Sequence, residues 1–115
     1  MPRSSLLPSA SLHIVLALLE GEKHGYALMG DVERISDGAI KMGPGTLYGT
    51  LKRLLSDGLI EETATRSDSE LNDERRRYYR LTAEGAQVAS AELARLQTLV
   101  RRVQRYRPNT GVQPV

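Results

Sequence analysis

Lys52 and Arg53 close the stretch GPGTLYGTLKR, and Arg75, Arg76 and Arg77 form a second cationic run further along the chain. Gly45, Thr46, Tyr48 and Gly49 lie in the first stretch, so cations and hydroxyls stand beside positions with no side chain. This combination suits a polyanion. Ammonium and guanidinium groups meet phosphate oxygens or the acceptor edge of guanine, while glycines let a partner surface come close. Catalytic chemistry is harder to assemble. His13 and His24 are isolated, cysteine is absent, and no spacing suggests metal ligation. GPGTLYG has the wrong glycine spacing for a dinucleotide fingerprint and no flanking βαβ unit. Without a nucleophile elbow or a carboxylate-His-Ser set, the chain reads as a non-enzyme that needs no metal and no cofactor.

The elements that must carry these residues follow from periodicity. Ser9 or Ser11 is expected to cap a first helix after Pro8, which runs through Leu12, Val15, Leu16, Leu18 and Leu19 to Gly21. A second helix opens near His24-Gly25-Tyr26 and carries Leu28, Met29, Val32 and Ile35 before SDG stops it. A third begins at Pro44, whose missing N–H costs nothing in a first turn, and ends at Gly58. Its inner face is Leu47, Leu51, Leu54 and Leu55. Its outer face is Gly45, Thr46, Gly49, Lys52, Arg53 and Ser56, with Tyr48 at the boundary. LIEETATR and RRRYYRLT read as two strands around the polar loop SDSELNDE. Thr82 is expected to cap a last helix from Ala83 to about Tyr106.

This order gives an α+β, mostly α fold: a winged helix-turn-helix of three helices and a two-stranded β-wing, plus one long C-terminal dimerisation helix. The expected units are residues 1–82, the helix 83–106, and a flexible tail 107–115. A helix of about 24 residues extends roughly 36 Å, more than a small core can cover. Ala86, Ala89, Leu93, Leu96, Val100 and Val103 recur along it as a heptad seam, and with Leu12 they form the expected homodimer contact. Two-fold pairing would set the two third helices about 34 Å apart, one turn of duplex.

The whole chain has 115 residues and a formal net charge of +2, which permits nucleic-acid binding without announcing it. The apolar run LHIVLALL is too short to span a bilayer and lacks a cleavage signal, so no membrane association is expected and the location is read as cytoplasmic. Acidic residues Asp68, Glu70, Asp73 and Glu74 at the wing tip should oppose its insertion into a minor groove.

HGYALMGDVE, GPGTLYGTLKRLLSDGLIE and RRRYYRLTAEG, in this order, resemble the signature segments of the PadR family of bacterial transcriptional regulators. The resemblance covers about Leu7 to Tyr106 and implies a dimeric winged-helix repressor of the compact subfamily, binding an inverted-repeat double-stranded DNA operator. It implies phosphate contacts for Tyr26 and Tyr48, groove contacts for Thr46, Gly49 and Lys52, and wing contacts for Arg75 and Arg76. Lys41, Gly45 and Arg53 complete the expected DNA-binding set. The resemblance also implies an effector, since members of the family often respond to small molecules such as phenolic acids or drugs. Here a small apolar or phenolic effector would meet Leu12, Leu93, Leu96 and Val100, with no Trp or Phe to stack on it. The competing reading is a winged-helix protein-interaction module without sequence-specific DNA binding.

Overall fold

The computed structural model describes residues 6–63 and 77–106. Arg75, Arg76, the acidic wing tip and the tail 107–115 lie outside the described residues. The elements run α1 (Ser9–Leu18), β1 (Lys23–His24), α2 (Gly25–Ile35), α3 (Pro44–Ser56), β2 (Ile60–Thr63), β3 (Tyr78–Leu81) and α4 (Ala83–Gln104). The sheet is antiparallel in the order β1-β3-β2. The wing strands pair as expected, with Ile60 opposite Leu81 and Glu62 opposite Tyr79. A third strand was not expected: Lys23 and His24 pair with Tyr79 and Tyr78.

Leucines build the centre. Ile14, Val15 and Leu18 of α1 pack with Leu28 and Val32 of α2 and Leu47, Leu51 and Leu54 of α3, all shielded from solvent. Ile60 and Tyr79 close the core from the wing. Two details of α1 differ from expectation. Neither Ser9 nor Ser11 caps the helix; Pro8 holds the cap position and its carbonyl accepts the Leu12 N–H. Ser11 instead falls on the face turned to the core and is buried. The helix proper also stops at Leu18, because Leu19 and Glu20 bond three residues back in a tighter turn.

The start of α4 is fixed by one residue. Thr82 Oγ1 accepts the Gly85 N–H at 3.0 Å, as a cap should, and also donates to the Gly58 carbonyl at 2.7 Å. The Thr82 N–H meets the Leu59 carbonyl at 3.0 Å. The end of α3, the start of β2 and the start of α4 are therefore tied together. Gly85 completes the joint, since a methyl group there would land on the Leu59 backbone carbonyl.

The heptad seam expected along α4 divides in two. Ala89 is fully buried in the chain's own core and Ala86 is half-buried, because this first part of α4 covers α1 and β3. Ala89 is thus no free dimer contact. Beyond it, Leu93, Val100 and Val103 are 41%, 53% and 53% exposed, joined by Leu99 and Tyr106, while Leu96 is half-buried. Leu12 is half-buried on α1. Between the two parts sits Glu92, whose carboxylate is fully buried. It accepts the Leu7 N–H at 3.1 Å and pairs with Arg95 at 2.8 Å, holding the N-terminal segment against α4. Among the described residues no helix is long and apolar enough to cross a membrane.

Candidate nucleic-acid interface

The α3 helix turns the expected side outward. Leu47, Leu51 and Leu54 are buried, and Gly45, Thr46, Gly49, Lys52, Arg53 and Ser56 are exposed along the opposite face, with Lys41 exposed just ahead of the helix. Leu55 is only half-buried, and Thr50 takes a place on the inner side, where its hydroxyl donates to the Thr46 carbonyl at 2.7 Å.

Ion pairing separates this face from the rest of the winged region. Among the described residues, Lys23 pairs with Glu20 and Asp31, Arg34 with the same two carboxylates, Arg77 with Glu62, and Arg80 with Glu61. Lys41, Lys52 and Arg53 have no described carboxylate within ion-pair distance. Three cations on one side are thus available to an external anion. Arg101, Arg102 and Arg105 are likewise unpaired with carboxylates, but they lie at the far end of α4.

The three signature segments meet behind this face. The Gly25 N–H, at the start of α2, donates to the Arg77 carbonyl at 3.1 Å. A methyl group at Gly25 would lie 2.9 Å from the Tyr48 hydroxyl, so the Tyr48 ring of α3 packs directly on the α2 start. This corrects the role expected for Tyr48. Its hydroxyl is buried and cannot reach a phosphate in this arrangement; the ring buttresses α3 against α2 instead. Tyr26 is 44% exposed at the first turn of α2. His24, the residue before Gly25, sets its ring edge-on to Tyr78 at 5.5 Å.

A four-charge cluster fixes the α1–α2 corner. Burial alone would raise the Asp31 carboxyl, but hydrogen bonds from Lys23 and then Arg34 outweigh it and hold the group below the ordinary carboxylate range. Asp31, then Glu20, keep the Lys23 ammonium above its usual value. Bonds from Lys23 and Arg34 likewise lower Glu20. The cluster lies on the scaffold, away from the outer face of α3. Among the described residues no three metal-capable side chains gather.

Expected contacts Gly45, Thr46, Gly49, Lys52 and Arg53 therefore share one exposed face, with Lys41 exposed just ahead of it and Tyr26 exposed on α2, whereas Arg75 and Arg76 lie outside the described residues. The sequence reading counted Arg77 in the second cationic run but left it out of the expected contacts, and it did not single out Glu62. Both line a groove of about 400 Å³ with Tyr48, Gly49, Lys52 and Leu55. Only the strand register, which places Glu62 beside the return strand, could have found that pair.

A family model described as the transcriptional regulator PadR-like family matches residues 15–91. The chain belongs to that family. Across the matched span lie the core, the outer face of α3 and the wing strands, so this PadR-like chain is a transcriptional regulator and not an enzyme. It is similar to the transcriptional regulator Rv3488 of Mycobacterium tuberculosis, 36% identical over 93 residues that cover 80% of this chain and 79% of that protein. A shorter match, 39% identical over 51 residues, joins 44% of the chain to an uncharacterised 37.1 kDa protein in transposon TN4556 of Streptomyces fradiae, spanning only 14% of that protein. Solved structures share the fold. A PadR family regulator from Clostridium difficile superposes with a TM-score of 0.66 at 23% identity, covering 86% of this chain and 98% of that one. A mutant of Lactococcus lactis ZitR, in complex with DNA, gives 0.67 at 18% identity over 95% of this chain and 66% of that one.

Proposed function

We propose that this regulator is a repressor that binds an inverted-repeat operator as a homodimer, laying the outer face of α3 in the major groove. The observation that carries this reading is the charge distribution on the winged region. Its described cations are paired within the chain except Lys41, Lys52 and Arg53, all beside or on the exposed face of α3. Left unpaired, they meet phosphate or guanine edges without first breaking an internal contact. Gly45 and Gly49 leave room for the duplex, and Thr46 brings a hydroxyl at the first turn of the helix. The ZitR structure, which shares this fold, contains DNA. Tyr26, and Arg75 and Arg76 of the wing, complete the proposed backbone contacts; Tyr48 does not belong among them.

Two copies would join along the exposed part of α4, through Leu93, Leu96, Val100 and Val103, with Leu12 alongside. Pairing sets the α3 helices about one duplex turn apart. A small apolar or phenolic effector entering between the paired helices would alter that spacing and release the operator. The location this implies is the cytoplasm, where the DNA is.

The test is a mobility shift on duplexes that the wild-type protein selects from genomic fragments. Affinity should fall steeply with salt, because each neutralised phosphate releases counterions. Lys52→Glu combined with Arg53→Ala should weaken binding at least about thirtyfold while the circular dichroism stays unchanged. Equal affinity for the variant and the wild type would instead favour a protein-interaction module.

A further inference from the structure

A carboxylate faces the same groove as Lys52, which is a poor place for one if phosphates are to enter. Strand register puts it there. Ile60 lies opposite Leu81 and Glu62 opposite Tyr79, so Ile60, Glu62, Tyr79 and Leu81 share one face of the wing. Ile60 and Tyr79 are buried and Leu81 is half-buried, which makes this the face turned toward the helices. Arg77 lies just ahead of β3, two positions before Tyr79, and lines the same groove. There the face leaves the core, and it ends in an ion pair, Arg77 Nη1 to Glu62 Oε2 at 3.0 Å. Across the groove stand Gly49 and Lys52 of α3.

We infer that Arg77 is a phosphate-contacting residue and that Glu62 is its built-in competitor, a carboxylate that the DNA backbone must displace. This rests on the DNA-binding reading proposed above. The Arg77 and Glu62 side chains are 41% and 38% exposed, so solvent screens the pair and holds it weakly. A phosphate offers the guanidinium fork several acceptor oxygens and adds counterion release, so the exchange runs toward the duplex. Glu62 then remains beside the backbone, uncompensated and repelled. Its effect is to lower affinity for any duplex, selected or not, because phosphate contacts carry no sequence information.

The other face of the wing supplies a control. Glu61 and Arg80 pair at 2.7 Å on the same two strands but on the opposite side, away from the groove. Glu61→Gln and Glu62→Gln change the net charge identically and differ only in which side they change.

The experiment measures mobility-shift affinity and its salt dependence for wild type, Glu62→Gln, Glu61→Gln, Arg77→Gln and the Lys52→Glu/Arg53→Ala variant. Each is tested on a selected duplex and on an unselected duplex of equal length. Glu62→Gln is expected to tighten both by about three- to tenfold. Glu61→Gln should stay within about twofold of wild type, and Arg77→Gln should weaken both duplexes and reduce the salt slope by about one. Glu62→Gln that leaves affinity unchanged or weaker overturns the inference, as does equal tightening by Glu61→Gln, which would be a net-charge effect. Tightening confined to the selected duplex overturns it too, since that would be base reading. If Lys52→Glu/Arg53→Ala loses binding and Glu62→Gln does not gain, only this inference falls. If neither variant changes affinity, the DNA-binding reading falls with it.

Discussion

Gly49 sits in the middle of α3 on its outer face, and nothing approaches within 4 Å of where its Cβ would be. A glycine in a helix interior costs up to about 1 kcal/mol relative to alanine, with no packing to offset it here. Protein stability alone would therefore favour a side chain. The proposed duplex contact opposes it, because a methyl group there would hold the groove wall away. Gly49→Ala is expected to raise the urea midpoint, by about 0.5–1 kcal/mol in stability, while weakening duplex binding in the mobility shift. A gain in both would place Gly49 outside the interface. Gly85 shows the contrasting case, in which a close backbone approach to Leu59 excludes any side chain. The sequence alone did not separate these two glycines. Each follows a threonine near a helix start, Thr46 before Gly49 and Thr82 before Gly85, and only the tertiary neighbour distinguishes open space from a carbonyl.

Elements were legible where one period governed them. Leu47, Leu51 and Leu54 of α3 face inward and its cations outward, as a period of 3.6 sorts them, and Thr82 caps α4 because a threonine before a helix has few better uses. What stayed hidden depended on distant partners. The two residues of β1 carry no pattern of their own and become a strand only beside β3. Glu92 sits where a helix would ordinarily show a charge to water, and it is buried because the Leu7 amide and Arg95 close over it. The Lys23–Asp31 contact is of the same kind, joining β1 to α2 at 2.8 Å with both side chains less than one-fifth exposed. Its pH dependence has a definite sign. Asp31 ionises more readily folded than unfolded, so the contribution is complete above the ordinary carboxylate range and disappears as pH falls through the lower, folded-state value. Asp31→Asn should cost about 1 kcal/mol at neutral pH, discounted for the exposed Arg34 and Glu20 around it. In urea titrations at a series of pH values the wild type and Asp31→Asn should converge in acid, and a gap that widens there would contradict the assignment.

In the whole molecule, the described chain measures 59 × 35 × 21 Å, an elongation that a core of this size does not require. The second half of α4 accounts for it. Past Glu92 the helix carries Leu93, Leu99, Val100 and Val103 in exposed positions, with exposed Tyr106 just beyond its end, and no acidic residue falls between 93 and 106. An apolar stripe of this length on a small chain calls for a cover; in the proposed homodimer a second copy would supply an identical stripe together with the symmetry that the proposed inverted repeat demands. Leu93→Glu with Val100→Glu separates this from a merely sticky helix. Both side chains lie outside the core, so the winged region should keep its fold and its thermal transition. In sedimentation the variant should run as a monomer at concentrations where the wild type is dimeric. Operator affinity should then fall by about a hundredfold or more, because each half-site loses the effective concentration that its linked partner provides. Binding to a duplex carrying one half-site should change little, since Lys52 and Arg53 of a single copy still meet it. A variant that stays dimeric, or a monomer that keeps full operator affinity, would detach α4 from DNA recognition and leave its apolar face to some other partner.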